Sequence, residues 1–171
     1  MLRHVLFILV FISSLTAWGQ AGNDGGPHEF NIFMGNVLPN GIDGADEIFP
    51  LSGLRYSVAM SEDAVGFYEF GGVFGNGEGV SWQGVFASLR MDVPVETLVG
   101  FAYLGLDFTN YEGNGTEEQQ RGGGHVGGGL MTLIGGNASV RFDMKLNSKP
   151  GTSLYFSLGL SFELGGGDAN Q

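Results

Sequence analysis

Nucleophilic and charged side chains are few in this chain, and their spacing limits the chemistry open to it. Cysteine is absent, so thiolate metal sites, thiol nucleophiles and disulfides are excluded. Of His4, His28 and His125, only His125 stands deep within the patterned part of the sequence. A histidine can act as general base to a serine, and Ser157 and Asp143 could join His125 in such a set. Serines are so frequent that similar triples would arise in many arrangements, and no catalytic residue is assigned. The stretch Asn40-Gly41-Ile42-Asp43-Gly44-Ala45-Asp46-Glu47 gathers three carboxylates. It lacks the D-x-[DN]-x-[DN]-G spacing that places ligands around calcium, so it reads as a solvated acidic loop. Glu112, Glu117 and Glu118 read the same way, and no metal or cofactor is expected. Gly75-Asn76-Gly77-Glu78-Gly79 carries no Lys-Ser/Thr and opens no helix, which makes it a hairpin turn and not a phosphate cradle.

The elements that must position these groups alternate with a period of two. In Ala138–Leu146 every even position is apolar, while the odd positions between them are Ser139, Arg141, Asp143 and Lys145. Ser153–Leu164 repeats the pattern, and the Pro-Gly turn Asn147–Thr152 joins the two into a hairpin with one apolar and one polar face. Six further strands are predicted at Glu29–Asn36, Leu51–Met60, Val65–Gly75, Val80–Val93, Leu98–Thr109 and Gly123–Ile134. Tight turns follow the even-numbered strands, and long polar loops, Val37–Pro50 and Asn110–Gly122, follow the first and fifth.

Composition and charge narrow the class. The 171 residues suffice for one domain; they hold 32 glycines, fourteen Phe and five Tyr, with seven Lys+Arg against eighteen Asp+Glu. A formal charge of −11 excludes a nucleic-acid partner. Met1-Leu2-Arg3-His4, the apolar run Val5–Leu15 and the small residues Ala17 and Gly19 read as a secretory signal peptide over 1–19, removed after export by the Sec route. A linker over 20–27, a barrel over 28–164 and a short tail over 165–171 complete the expected organisation. No later stretch is long and apolar enough for a transmembrane helix. Eight strands of about ten residues, short turns at one end and longer loops at the other, are the plan of a closed antiparallel up-and-down barrel crossing a membrane. Tyr56, Tyr68, Trp82, Tyr111 and Tyr155 fall near strand ends and are expected in interfacial girdles.

Gly123-Gly124-His125-Val126-Gly127-Gly128-Gly129-Leu130, followed by Asn137–Lys145 and Ser153–Leu164, resembles the small eight-stranded bacterial outer-membrane barrels. These are the OmpA transmembrane domain, OmpX, OmpW and the opacity-type proteins. They similarly end in a glycine-rich strand, a strand with charges inside and a strand with Ser and Gly inside. The resemblance implies an outer-membrane location, lipid and lipopolysaccharide as surroundings, insertion by the barrel-assembly machinery, and a monomer. Outer-membrane lipid A deacylases of similar size place a serine two positions after a histidine. Position 127 here is glycine, so that likeness fails and the chain is read as a non-enzyme.

With apolar residues facing lipid, the opposite parity points inward. It places Arg55, Glu69, Arg90, Asp107, Arg141, Asp143, Lys145 and Glu163, with Glu29, in the lumen. Charges in so narrow a space must pair, which predicts an ion-pair plug and not an open pore. Trp82, Phe86, Phe101 and Tyr103 share the lumen with His125 and with Gly84, Gly105, Gly127 and Gly129. Either the glycines make room for the rings, or the two leave an apolar slot for a small hydrophobic ligand. The function expected is an integrity or surface-interaction role. Narrow transport of hydrophobic molecules is the alternative, and lipid A modification a third.

Overall fold

A computed structural model describes residues 26–45, 47–61, 65–77, 79–113 and 115–164. The signal segment, positions 20–25 of the linker and the tail 165–171 lie outside the described residues. Eight strands form: β1 (His28–Leu38), β2 (Phe49–Ala59), β3 (Gly66–Gly77), β4 (Val80–Val95), β5 (Leu98–Glu112), β6 (Gln119–Gly135), β7 (Ala138–Asn147) and β8 (Ser153–Leu164). Each pairs antiparallel with its neighbours in sequence, and β1 closes on β8 through pairs such as Ile32 with Leu160. Closure leaves every strand two partners, the condition for a sheet in hydrocarbon, where water cannot satisfy a free edge.

The alternation read from the sequence sets which face goes where. Ile32, Met34, Leu104, Leu106, Leu130, Phe142, Leu158 and Leu160 are exposed on the outer wall, Met34 and Leu106 at 70 %. Arg55, Glu69, Arg90, Arg141 and Asp143, of the opposite parity, are buried inside. A continuous apolar exterior around a charged interior inverts the arrangement of a water-soluble barrel and suits a lipid solvent.

Three features differ from the sequence expectation. β5 and β6 continue to Glu112 and from Gln119, so only 113–118 of the expected loop lies outside strands. Ladder pairing needs no apolar side chains, and polar residues such as Asn110 and Gln120 extend it beyond the apolar belt. Second, Trp82, Tyr111 and Tyr155 are not girdle residues: their parity turns them inward, where all three are buried. Tyr68 is exposed on the outer wall, and half-buried Tyr56 bonds to His28 at 2.8 Å. Third, the loop 39–48 does not simply extend into solvent. Ile42 and Ala45 are buried in the cluster with Val37, Phe49, Trp82 and Tyr155, and Thr152 N donates to Asn40 O at 2.8 Å.

Candidate functional site: the barrel lumen

Inward parity and register decide which lumen side chains meet. Near the end that carries the termini, Arg90 of β4 reaches Glu29 of β1 (2.8 Å), Glu69 of β3 (2.9 Å) and Asp92 of its own strand (2.7 Å). Glu69 also accepts from Arg141 Nη1 (2.7 Å) and from Ser57 Oγ (3.2 Å). Arg141 continues to Asp143 (3.0 Å), which binds Arg55 at 2.8 Å and accepts from the Tyr103 hydroxyl. The guanidinium faces lie on rings: Arg90 over Phe67 and Arg141 over Phe101 at 4.0 Å each, and Arg55 over Phe33 at 5.1 Å. Such stacking occupies the faces of the guanidinium planes while their edges bind carboxylates.

A second cluster holds the remaining lumen cation. Lys145 Nζ donates to Asp107 Oδ1 at 2.9 Å and sits over the rings of Tyr155 (4.6 Å) and Phe86 (4.9 Å). Asp107 Oδ2 is 2.6 Å from His125 Nδ1, and His125 Nε2 is 2.8 Å from Ser88 Oγ. Together the two clusters set four cations against the five carboxylates of Glu29, Glu69, Asp92, Asp107 and Asp143.

Toward the loop end the lumen fills with rings. Trp82 packs against Phe49 and Tyr111, each with centroids 5.7 Å away, and edge-on to Tyr155 at 6.2 Å. Lower down Phe101 stacks on Tyr103, over backbone kept bare by Gly129 and Gly127. A Cβ at Gly127 would overlap the Tyr103 ring, so glycine there is a requirement of ring packing, and one at Gly129 would overlap the Phe142 carbonyl of β7 as well as crowd the Phe101 ring. Among these groups lies a cavity of about 20 Å³ lined by residues including Phe33, Arg55, Phe86, Tyr103, Lys145 and Ser157, which is room for one water. Of the positions considered for an apolar slot, Trp82 packs on Phe49 and Tyr111, Phe101 on Tyr103 and Phe86 on His125, and Phe86 and Tyr103 also line the water-sized cavity.

Seven of the eight charged positions singled out from the sequence meet in these clusters. Glu163 does not. It has inward parity but lies one residue from the end of β8, where the lumen opens, and it is exposed with no ion pair among the described residues. Arg55 bonds to Asp143 of β7 and not to Glu69 on the adjacent strand β3. His125 joins Ser88 and Asp107 in place of Ser157 and Asp143. Sequence reasoning missed Asp92 and Ser88, although both share the inward parity of Arg90 on β4 and could have been found by extending it. It also missed Ile42, the large apolar residue within the acidic stretch 40–47.

No family model and no curated protein matches the chain in sequence. Solved structures match in shape. The N-terminal β-barrel domain of Pseudomonas aeruginosa OprF superposes with a TM-score of 0.66 at 13 % identity, over 82 % of this chain and all of that domain. Neisserial surface protein A gives 0.64 at 9 % identity, over 81 % of this chain and 96 % of its own. The outer-membrane protein OprG of P. aeruginosa gives 0.57 at 11 % identity, over 84 % and 98 %. The fold is that of the small eight-stranded outer-membrane barrels.

Proposed function

We propose that the protein is an exported outer-membrane barrel whose lumen is sealed. Its role is mechanical and interfacial: a rigid cylinder that contributes to envelope integrity and displays acidic loops outside the cell. The observation that carries this reading is the occupied interior, in which a network of ion pairs crosses the lumen and stacked rings fill the loop end, with a cavity among them of about 20 Å³. The apolar outer wall supports lipid and lipopolysaccharide as its surroundings, with the barrel-assembly machinery as the agent of insertion. The absence of an open sheet edge within the apolar belt supports a monomer.

Planar-bilayer recording on refolded barrel, verified as folded by its heat-modifiable gel migration, tests the seal. The sealed lumen gives no steady conductance steps. Steady steps would instead favour a transport role, in which small molecules pass the aromatic side of the lumen.

A further inference from the structure

One hydrogen-bonded run in the lumen exceeds what sealing requires. Ser88 Oγ lies 2.8 Å from His125 Nε2, and His125 Nδ1 lies 2.6 Å from Asp107 Oδ2. The three residues come from consecutive strands β4, β6 and β5 of one wall, and all are buried. An ionised carboxylate only accepts, so Nδ1 is the donor to Asp107. In the neutral ring this leaves the lone pair of Nε2 aimed at the serine hydroxyl. Lys145 holds the other carboxylate oxygen at 2.9 Å and keeps Asp107 from turning away. The imidazole is fixed by Phe86 and Tyr103, edge-on at 6.2 and 5.7 Å, and by Gly105, where a Cβ would stand 2.7 Å from the ring. Nucleophile, base and orienting carboxylate are in the order that activates a serine.

The surroundings suggest what would reach it. Phe86, Tyr103 and Lys145, which surround His125 and Asp107, also line the water-sized cavity. Phe86 belongs as well to the apolar cluster with Trp82, Tyr111 and Tyr155, into which the loop 39–48 places Ile42 and Ala45. Ser88 lies six residues along β4 from Trp82, about 20 Å of strand, so the loop's own aliphatic side chains stand where the far end of a long hydrocarbon tail would be accommodated.

We propose that Ser88 is an activated nucleophile, with His125 its general base and Asp107 a positioning residue, for long-chain acyl esters whose tail end replaces Ile42 and Ala45. Ser88 Oγ bonds to the ester carbonyl carbon while its proton passes to His125 Nε2. The ester C–O bond then breaks, and the departing alcohol takes that proton. Water completes the cycle: it gives a proton to Nε2, its oxygen bonds to the acyl carbon, and Ser88 leaves with the proton returned. This goes beyond the sealed reading, which describes the barrel with its loop seated.

An alkyl fluorophosphonate, applied to the refolded full-length barrel in detergent micelles, is the direct probe, read by mass spectrometry of the labelled peptide. Every variant is first checked for heat-modifiable migration. The proposal expects a phosphonyl adduct on Ser88, its loss in Ser88→Ala, and faster labelling in Ile42→Gly, where the loop is loosened. His125→Gln, folded, should label about 100-fold more slowly, the scale of a lost general base. No adduct on Ser88 in either the wild-type or the Ile42→Gly barrel would overturn the proposal, as would labelling unaffected by Ser88→Ala or by His125→Gln. Bilayer conductance is a separate readout, so failure of the sealed reading and failure of this one are distinguishable.

Discussion

Replacing Glu69 with Ala removes the carboxylate on which the lumen network converges. Glu69 is fully buried and accepts from Arg90 at 2.9 Å, Arg141 at 2.7 Å and Ser57 at 3.2 Å. Without it, Arg141 retains Asp143, and Arg90 retains Glu29 and Asp92, so neither guanidinium is stranded. Deleting one partner of a buried pair costs about 3–5 kcal/mol, and the surviving carboxylates hold the loss near the lower end, about 3 kcal/mol. For a chain of this size that corresponds to a midpoint about 6–12 °C lower. Glu69→Gln keeps an acceptor and loses only the charge, so its cost should be smaller. Equilibrium urea unfolding in detergent, followed by Trp82 fluorescence from inside the lumen, measures both variants. If Glu69→Ala unfolds within about 0.5 kcal/mol of wild type, the scale of a neutral surface change, the network is not what holds the interior together.

Other substitutions separate wall, rim and cap. Leu106→Arg, at an outer-wall position 70 % exposed, should cost about 2–4 kcal/mol in a bilayer if that position lies at mid-depth, read by urea titration in liposomes. Glu163→Ala at the open rim should stay within about 0.5 kcal/mol of wild type in the same titration. Trp82→Ala empties the centre of the loop-end cluster and should cost about 3–5 kcal/mol, with faster proteolysis of the loop 39–48 as the accompanying sign.

How much of this was legible in the sequence follows from how local each cause is. The period of two in Ala138–Leu146 and Ser153–Leu164 fixes the facing of β7 and β8, because the pleat alternates side chains without tertiary help. The same parity assigned Arg55, Glu69 and Arg141 to the interior. Partner choice was not legible. Arg55 binds Asp143, from a strand far away in sequence, because barrel closure brings β2 and β7 across the lumen from each other. Strand ends were also obscured, since polar residues 110–112 and 119–122 carry no apolar signal while their backbone still pairs. Trp82, Tyr111 and Tyr155 show how proximity to a strand end can mislead: parity governs whether a ring meets lipid or lumen. The seated loop depended on Ile42 finding an aromatic cluster assembled from several strands, which spacing alone does not encode.

Which wall of β7 and β8 meets lipid decides between a membrane barrel and a water-soluble one. The chain has no cysteine, so single cysteines at Phe142, Met144, Leu158 and Leu160 can each carry one nitroxide in the bilayer-inserted barrel. Electron paramagnetic resonance should show frequent collisions with dissolved oxygen and few with a water-soluble nickel chelate at all four sites. High nickel accessibility there, with the apolar face bathed in water, would contradict the account.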